Sequence, residues 1–212
     1  MKTVCVIPAR GGSKELPRKN ILNVNGKPLI TYTIAQALES IVDDVYVSTD
    51  DFEIASISES AGAKVIERPG DLAQDDTTTE SVLAHAIHTI EKTQPVDVFV
   101  YLSCTQPNRE ISWINTCVER VRYEGYDSAF TGHLTHKNYW VDKRKLWWFE
   151  YTNRQTRKPV IQENTGVVCA SKAEIIRGGE RIGSHVYIHE VDAFNLDIHN
   201  ERDLEMAHIF LK

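Results

Sequence analysis

The chain has 212 residues, 42% of them hydrophobic and 25% charged, which suits a folded globular protein and argues against disorder. A net charge of −6 argues against a general nucleic-acid or membrane-surface binder. No apolar run approaches the roughly 20 residues of a membrane span, and Lys2 followed by a strand-length apolar run does not read as a signal peptide. The four cysteines, Cys5, Cys104, Cys117 and Cys169, form no Cys-x-x-Cys pair and sit among apolar neighbours. They read as reduced core residues of a cytoplasmic protein.

The elements alternate from the start. Val4–Ala9 reads as a buried strand. Pro28–Ser40 reads as a helix with Ile30, Ile34, Ala37 and Leu38 on one face. A strand over Asp44–Ser48, a helix over Phe52–Ala61 closed by Gly62, and a short strand over Lys64–Glu67 follow. Thr77–Lys92 carries the stripe Val82, Leu83, Ala86, Ile87 and Ile90 of a strong helix, and Val96–Ser103 is an apolar strand. Ile114, Cys117, Val118 and Val121 mark another helix, before a strand at Ser128–Thr131. Residues 133–160 break the pattern with Trp140, Trp147, Trp148 and Phe149 among basic residues. This segment is either a hairpin arm packed on another subunit or an irregular excursion packed on its own domain. Strands at Gly166–Ala170 and His185–Val191 and a helix at Asn200–Leu211 close the chain. Alternation of apolar strands with helices implies a parallel sheet covered on both faces, with ligands outside the carboxyl ends of the strands.

The segment Arg10-Gly-Gly-Ser-Lys14-Glu-Leu-Pro-Arg18-Lys19 leaves the first strand with four basic side chains against the single acid Glu15. A glycine loop with bare N–H groups and a local positive field is suited to a polyphosphate. Its spacing matches neither the Walker loop nor the dinucleotide fingerprint, and a merely basic surface turn is the alternative. The polar loop Arg68–Thr79 feeds a helix, so one of its Asp or Thr residues can cap that helix, and its hydroxyls can also read a base or a phosphate. Near the C-terminus, Asp197 and His199 share one face of an extended segment. They suit a divalent cation, or Asp197 caps the last helix.

These segments together resemble the acylneuraminate cytidylyltransferase family. The likeness is carried by Ala9-Arg-Gly-Gly-Ser-Lys14, Leu16-Pro, Lys19-Asn-Ile21, Val47-Ser-Thr-Asp50, Arg68-Pro with Leu72-Ala and Asp75, Thr105-Gln-Pro107 with Arg109, Asn164-Thr-Gly166 and Asp197-Ile-His199. It implies a Rossmann-like α/β fold of nucleotide-diphospho-sugar transferases. The chain would form one domain over residues 1–212, with a dimerisation arm at about 133–160. The implied activity is transfer of CMP from CTP to a nonulosonic, sialic-acid-like sugar acid, releasing pyrophosphate, with Mg²⁺ or Mn²⁺ as cofactor and a homodimer as the assembly. Arg10, Lys14 and Asp197 would be catalytic. Ala9, Gly11, Gly12, Ser13, Asn20, Arg68, Asp75 and Thr78 would join Arg10 and Lys14 around the nucleotide. Ser103, Thr105, Gln106, Arg109, Gln162, Asn164 and Thr165 would face the sugar, and Asp197 with His199 would hold the metal.

Three departures from the family pattern stand out. Ser103 replaces an amide on the sugar side, Gln162-Glu163 replaces an arginine-rich stretch, and His199 replaces the second acid of an Asp-x-Asp pair. They keep open a transferase for another sugar acid such as Kdo or for another nucleotide, and a catalytically weakened nucleotide-binding homologue.

Overall fold

A computed structural model describes residues 1–137, 139–142, 144–145, 153, 155–192 and 196–211. β1 (Thr3–Pro8) is followed by a 3-10 turn at Lys19–Ile21 and a small ribbon of β2 (Asn23–Val24) and β3 (Lys27–Pro28). α1 (Leu29–Leu38), β4 (Asp44–Thr49), α2 (Phe52–Ser60) and β5 (Lys64–Glu67) come next. Then α3 (Thr79–Ile90), β6 (Val98–Tyr101), α4 (Ile111–Tyr123) and the long β7 (Ser128–Thr135). A second ribbon, β8 (Trp140–Val141) and β9 (Arg144–Lys145), precedes β10 (Val160–Glu163) and β11 (Cys169–Lys172). α5 (Ala173–Arg177), β12 (Val186–Glu190) and α6 (Glu201–Phe210) complete the described chain.

The main sheet runs β5-β4-β1-β6-β11-β7, with β10 and β12 also paired to β7. β1 is parallel to β4 and β6, β4 to β5, and β7 to β12. Alternation along β1 divides the core. Cys5 and Ile7 pack with α1, α2 and α4 on one face, and Val4 and Val6 pack with α3 and α5 on the other. The sheet is therefore covered on both faces, as apolar strands buried on two sides require. A third, smaller core joins Leu16, Val24 and Leu29 to Leu196, Ile198, Ala207 and Leu211. It fastens the C-terminal segment beside the loop that leaves β1.

The sheet is mostly parallel, as expected, and carries antiparallel strands at one end. β11 runs antiparallel to both β6 and β7, and β10 antiparallel to β7. The strand expected at Gly166–Ala170 lies at Cys169–Lys172 instead. Thr131 explains the shift. Its N–H donates to Val168 O at 3.1 Å, and its carbonyl accepts from Asn164 N at 2.9 Å. Its Oγ1 donates to Asn164 O at 2.7 Å. The residues between Asn164 and Val168 are thereby looped out of the ladder and free to serve a site.

Local signals placed the helix ends. Thr78 caps α3, accepting from Ser81 N at 3.2 Å, and Gly62, with φ 95°, closes α2. α6 is capped by Asn200 in a capping box with Asp203, so Asp197 is not its cap. In the 133–160 segment the β8–β9 hairpin is present, while Trp147, Trp148 and Phe149 lie outside the described residues.

All four cysteines are free and buried. Burial pushes the Cys5 and Cys169 thiols up to about 12 and Cys104 up to about 11, and raises Cys117 as well. The thiolate is the reactive form, so at pH 8 a raised pKa leaves almost none. Ellman's reagent should therefore find no fast-reacting thiol in the native protein at pH 8 and four after unfolding. A rapid native thiol at pH 8 would contradict this packing.

Candidate functional site

The loop after β1 is held open by the strand beside it. Ala9 N donates to Ser48 O at 2.9 Å, and Gly11 N to Asp50 Oδ1 at 2.9 Å. Gly11 has no room for a side chain, since a Cβ there would stand 2.6 Å from Asp51 Oδ2. Asp51 caps α2 and pairs with Arg18, which also reaches Glu53 at 2.5 Å. The Arg18 hydrogen bond holds the Asp51 carboxyl below the usual range. The Val47–Asp50 motif is thus the staple of the basic loop.

The loop borders a crevice of about 270 Å³ at the carboxyl ends of β1 and β6. Arg10, Gly12, Ser13, Asn20, Arg68, Asp75 and Thr78 all line it. Across its mouth Asp75 bridges the two expected phosphate ligands. Arg10 Nη2 lies 2.9 Å from Asp75 Oδ1, and Lys14 Nζ 2.5 Å from Asp75 Oδ2. Lys14 and Arg10 in turn hold the Asp75 carboxyl below its ordinary range. The Lys14 side chain is 80% exposed, so these pairs are screened and weak. A polyanion can displace Asp75 from both cations. Asn20 Nδ2 anchors Arg10 through its carbonyl at 2.9 Å, and Cys104 Sγ donates to Asn20 Oδ1 at 3.1 Å. Arg68 is buried, with Nε and Nη2 on Ser48 at 3.2 and 2.6 Å, and burial lowers its pKa. The fixed guanidinium gives the crevice a permanent positive wall.

The acceptor half is built from β6, the looped-out segment and the C-terminal extension. Leu196 and Ile198 are buried, which turns Asp197 and His199 outward. Ile198 N donates to Thr105 O at 2.9 Å. Thr105 Oγ1 donates to Asp197 Oδ1 at 2.8 Å, and Gln106 Nε2 to Asp197 Oδ2 at 3.2 Å. Gln106 Nε2 also donates to Asn164 Oδ1 at 3.0 Å, and Ser103 Oγ meets Thr105 Oγ1 at 2.9 Å. Thr165 Oγ1 donates to Glu163 Oε1 at 3.1 Å. Four expected acceptor residues, Ser103, Thr105, Gln106 and Asn164, thus gather in one network with Asp197, and Thr165 stands next to Asn164, bonded to Glu163.

Two expected residues stand elsewhere. Arg109 is buried, and its guanidinium is spent inside the protein. It donates to Val167 O at 2.7 Å, Thr33 Oγ1 and Gln36 Oε1 at 3.0 Å, Ser103 O at 2.6 Å and Gly166 O at 3.3 Å. Burial lowers its pKa to about 10. It locks the 103 and 166 loops together from behind rather than touching a ligand. Gln162 is exposed on β10, opposite His133 of β7. Conversely, Lys19 lines the crevice and was not among the expected contacts. Its place in the same basic loop was the signal for it.

The expected metal pair, Asp197 and His199, stands with Nε2 3.0 Å from Oδ2. Two cis ligands of an octahedral ion with bonds of about 2.1 Å stand about 3 Å apart, so this pair fits a divalent cation. Among the described residues no third His, Cys, Asp or Glu completes a cluster with them.

The fold is of the Rossmann-like α/β class, with the crevice at the carboxyl ends of its parallel strands. A family model described as Cytidylyltransferase matches residues 4–146, and the chain belongs to that family. It is 30% identical over 229 residues to the N-acylneuraminate cytidylyltransferase of Streptococcus agalactiae serotype V, covering 99% of this chain and 54% of the relative. It is 43% identical over 116 residues to the pseudaminic acid cytidylyltransferase of Campylobacter jejuni, covering 52% of this chain and 50% of the relative. The chain spans about half the length of these curated relatives. Among solved structures, CMP:2-keto-3-deoxy-manno-octonic acid synthetase complexed with CTP is similar with a TM-score of 0.79 and 20% identity, covering 99% of this chain and 98% of the other. A 4-diphosphocytidyl-2C-methyl-D-erythritol synthase is similar with a TM-score of 0.74 and 12% identity, covering 100% of both. Both structural likenesses concern the fold.

Gly166 is the tightest point of the acceptor network. A Cβ there would stand 1.8 Å from Gln106 Oε1. Gly166→Ala should lower the unfolding free energy by about 1–3 kcal/mol in urea titration, because the site must overpack. Adding Gln106→Ala should restore part of that loss. No destabilisation in the single variant would contradict this close approach.

Proposed function

We propose that this chain transfers CMP from CTP to a nonulosonic sugar acid and releases pyrophosphate. One observation carries the reading: two cations, bridged by a single displaceable carboxylate, at the mouth of a crevice whose other end is a hydrogen-bonding network around Asp197. Membership of the cytidylyltransferase family and the two relatives' names support it.

The chemistry brings two anions together. CTP carries about four negative charges near neutral pH, and the acceptor carries a carboxylate. Arg10 and Lys14 exchange Asp75 for the β- and γ-phosphates, which neutralises the leaving group in a fixed geometry. The acceptor's anomeric hydroxyl forms its bond to the α-phosphorus as the bond to the β-phosphate oxygen breaks, and pyrophosphate departs. Ser103, Thr105, Gln106 and Asn164 orient the sugar for in-line attack. The hydroxyl proton leaves to solvent at this open edge, where the His199 side chain is 55% exposed. Mg²⁺ or Mn²⁺ held by Asp197 and His199 would shield the α-phosphate and acidify the hydroxyl. The imidazole makes Mn²⁺ at least as good a partner as Mg²⁺.

The chain acts as one domain and pairs with a second copy. Leu134 and Ile161 are cross-strand partners on β7 and β10, 47% and 36% exposed, and such an apolar pair beside the β8–β9 hairpin suits an interface. Cysteines free and buried suit a reducing cytoplasm, and no helix among the described residues is long and apolar enough to cross a membrane.

Pyrophosphate release with CTP and a panel of N-acetylneuraminic acid, pseudaminic acid and Kdo tests the reading. A nonulosonic acid should be the best acceptor, with CTP preferred over UTP by roughly 10²-fold or more, as expected for a buried polar pairing. Arg10→Ala and Lys14→Ala should each cost roughly 10²-fold in turnover, and Asp197→Asn should nearly abolish it. Kdo as the sole acceptor, or equal use of ATP, would assign the chain to another branch of the transferases. CTP binding without turnover of any acid would make it a nucleotide-binding homologue.

A further inference from the structure

Among the described residues, most cations around the crevice are already committed to other partners. Asp197, Glu163 and Glu80 give the acceptor side a negative field, and Arg109 is spent on internal acceptors. Arg10 and Lys14 serve the phosphates, and Arg68 is tied to Ser48.

One guanidinium at this edge is held only loosely. Arg181 lies in the loop between α5 and β12, with its main chain fixed by Ser171 Oγ, which donates to Arg181 O at 2.7 Å. Its guanidinium carbon is 5.9 Å from the centre of the Tyr101 ring, and Tyr101 lines the crevice at the end of β6. Nε stands 3.5 Å from Glu80 Oε1 and Nη2 3.6 Å from Glu163 Oε1. These are ion pairs too long to be good hydrogen bonds. Nε is buried and has no hydrogen-bond partner, although the side chain as a whole is 25% exposed. The same Glu163 Oε1 accepts from Thr165, so one oxygen atom links Arg181 to the looped-out acceptor segment.

We propose that Arg181 is the receptor for the acceptor's carboxylate. The inference rests on the reading that the acceptor is a sugar acid bound over residues 103–106 and 164–166. An incoming carboxylate replaces two stretched ion pairs with a forked pair of hydrogen bonds, the geometry for which a guanidinium is suited and an ammonium is not. Arg181 is then a specificity-determining residue, and it distinguishes acids from their neutral analogues.

The test compares each acid that wild type turns over with its C1 carboxamide, at saturating CTP. Wild type should prefer the acid roughly 10- to 100-fold in kcat/KM, the range for a charge-assisted hydrogen-bonded pair. Arg181→Ala should raise the acid's KM by a similar factor, lose the acid-over-carboxamide preference, and keep its calorimetric Kd for CTP. Arg181→Lys should fall between the two and guards against an alanine variant that does not fold. An Arg181 variant that folds and still prefers the acid as wild type does would overturn the proposal. Loss of that preference in Lys19→Ala instead would also overturn it, and would move the role to the other crevice cation. Failure of wild type to turn over any acid while CTP binds would sink the sugar-acid reading itself, a result distinct from intact turnover with unchanged discrimination.

Discussion

The Asp75 carboxylate between Arg10 and Lys14 is the interaction on which the site depends. Two cations projecting from a glycine loop repel one another and would disperse into solvent without an anion between them. Asp75 supplies that anion from the opposite wall, the polar loop that leads into α3. The pairs are exposed and weak, which suits a role that must be surrendered to a polyphosphate. Hydrogen bonds from Gly11 to Asp50 and from Asn20 to Arg10, together with the Arg18–Asp51 ion pair, fix the loop on the sheet, so only its tips respond to ligand.

The acceptor half is organised differently, by burial. Leu196 and Ile198 enter a small core with Leu16, and that packing, with the bonds from Thr105 and Gln106, turns Asp197 and His199 outward from the core. Behind them Arg109 ties the 103 and 166 loops into one body. Thr131 bonds both ends of the looped segment, and Gly166 allows Gln106 to cross it. Nucleotide side and acceptor side are thus held by separate means, charge on one and packing on the other. Substitutions on one side should therefore spare ligand binding on the other.

Much of this was legible in the sequence where the signal is local. The basic glycine loop, the Thr78 cap and the Gly62 terminus all follow from residues within a few positions of one another. The Asp197–His199 alternation also held, because Ile198 between them is buried. Strand direction was not legible at β10 and β11, since hydrophobic periodicity carries no sign. Their antiparallel course follows from Thr131, a single long-range contact. Arg109 illustrates the same limit. The family resemblance placed it beside the acceptor, but the partners of a guanidinium are set by loops some 60 residues distant. Arg181 belongs to no motif and becomes visible only when Glu80, Glu163 and Tyr101 are brought around it by three separate elements.

A crystal structure of the chain with CTP addresses the central claim directly. The triphosphate should lie between Arg10 and Lys14, with Asp75 withdrawn from both and Asp50 still on the Gly11 N–H. A triphosphate bound elsewhere, with Asp75 still bridging the two cations, would contradict it.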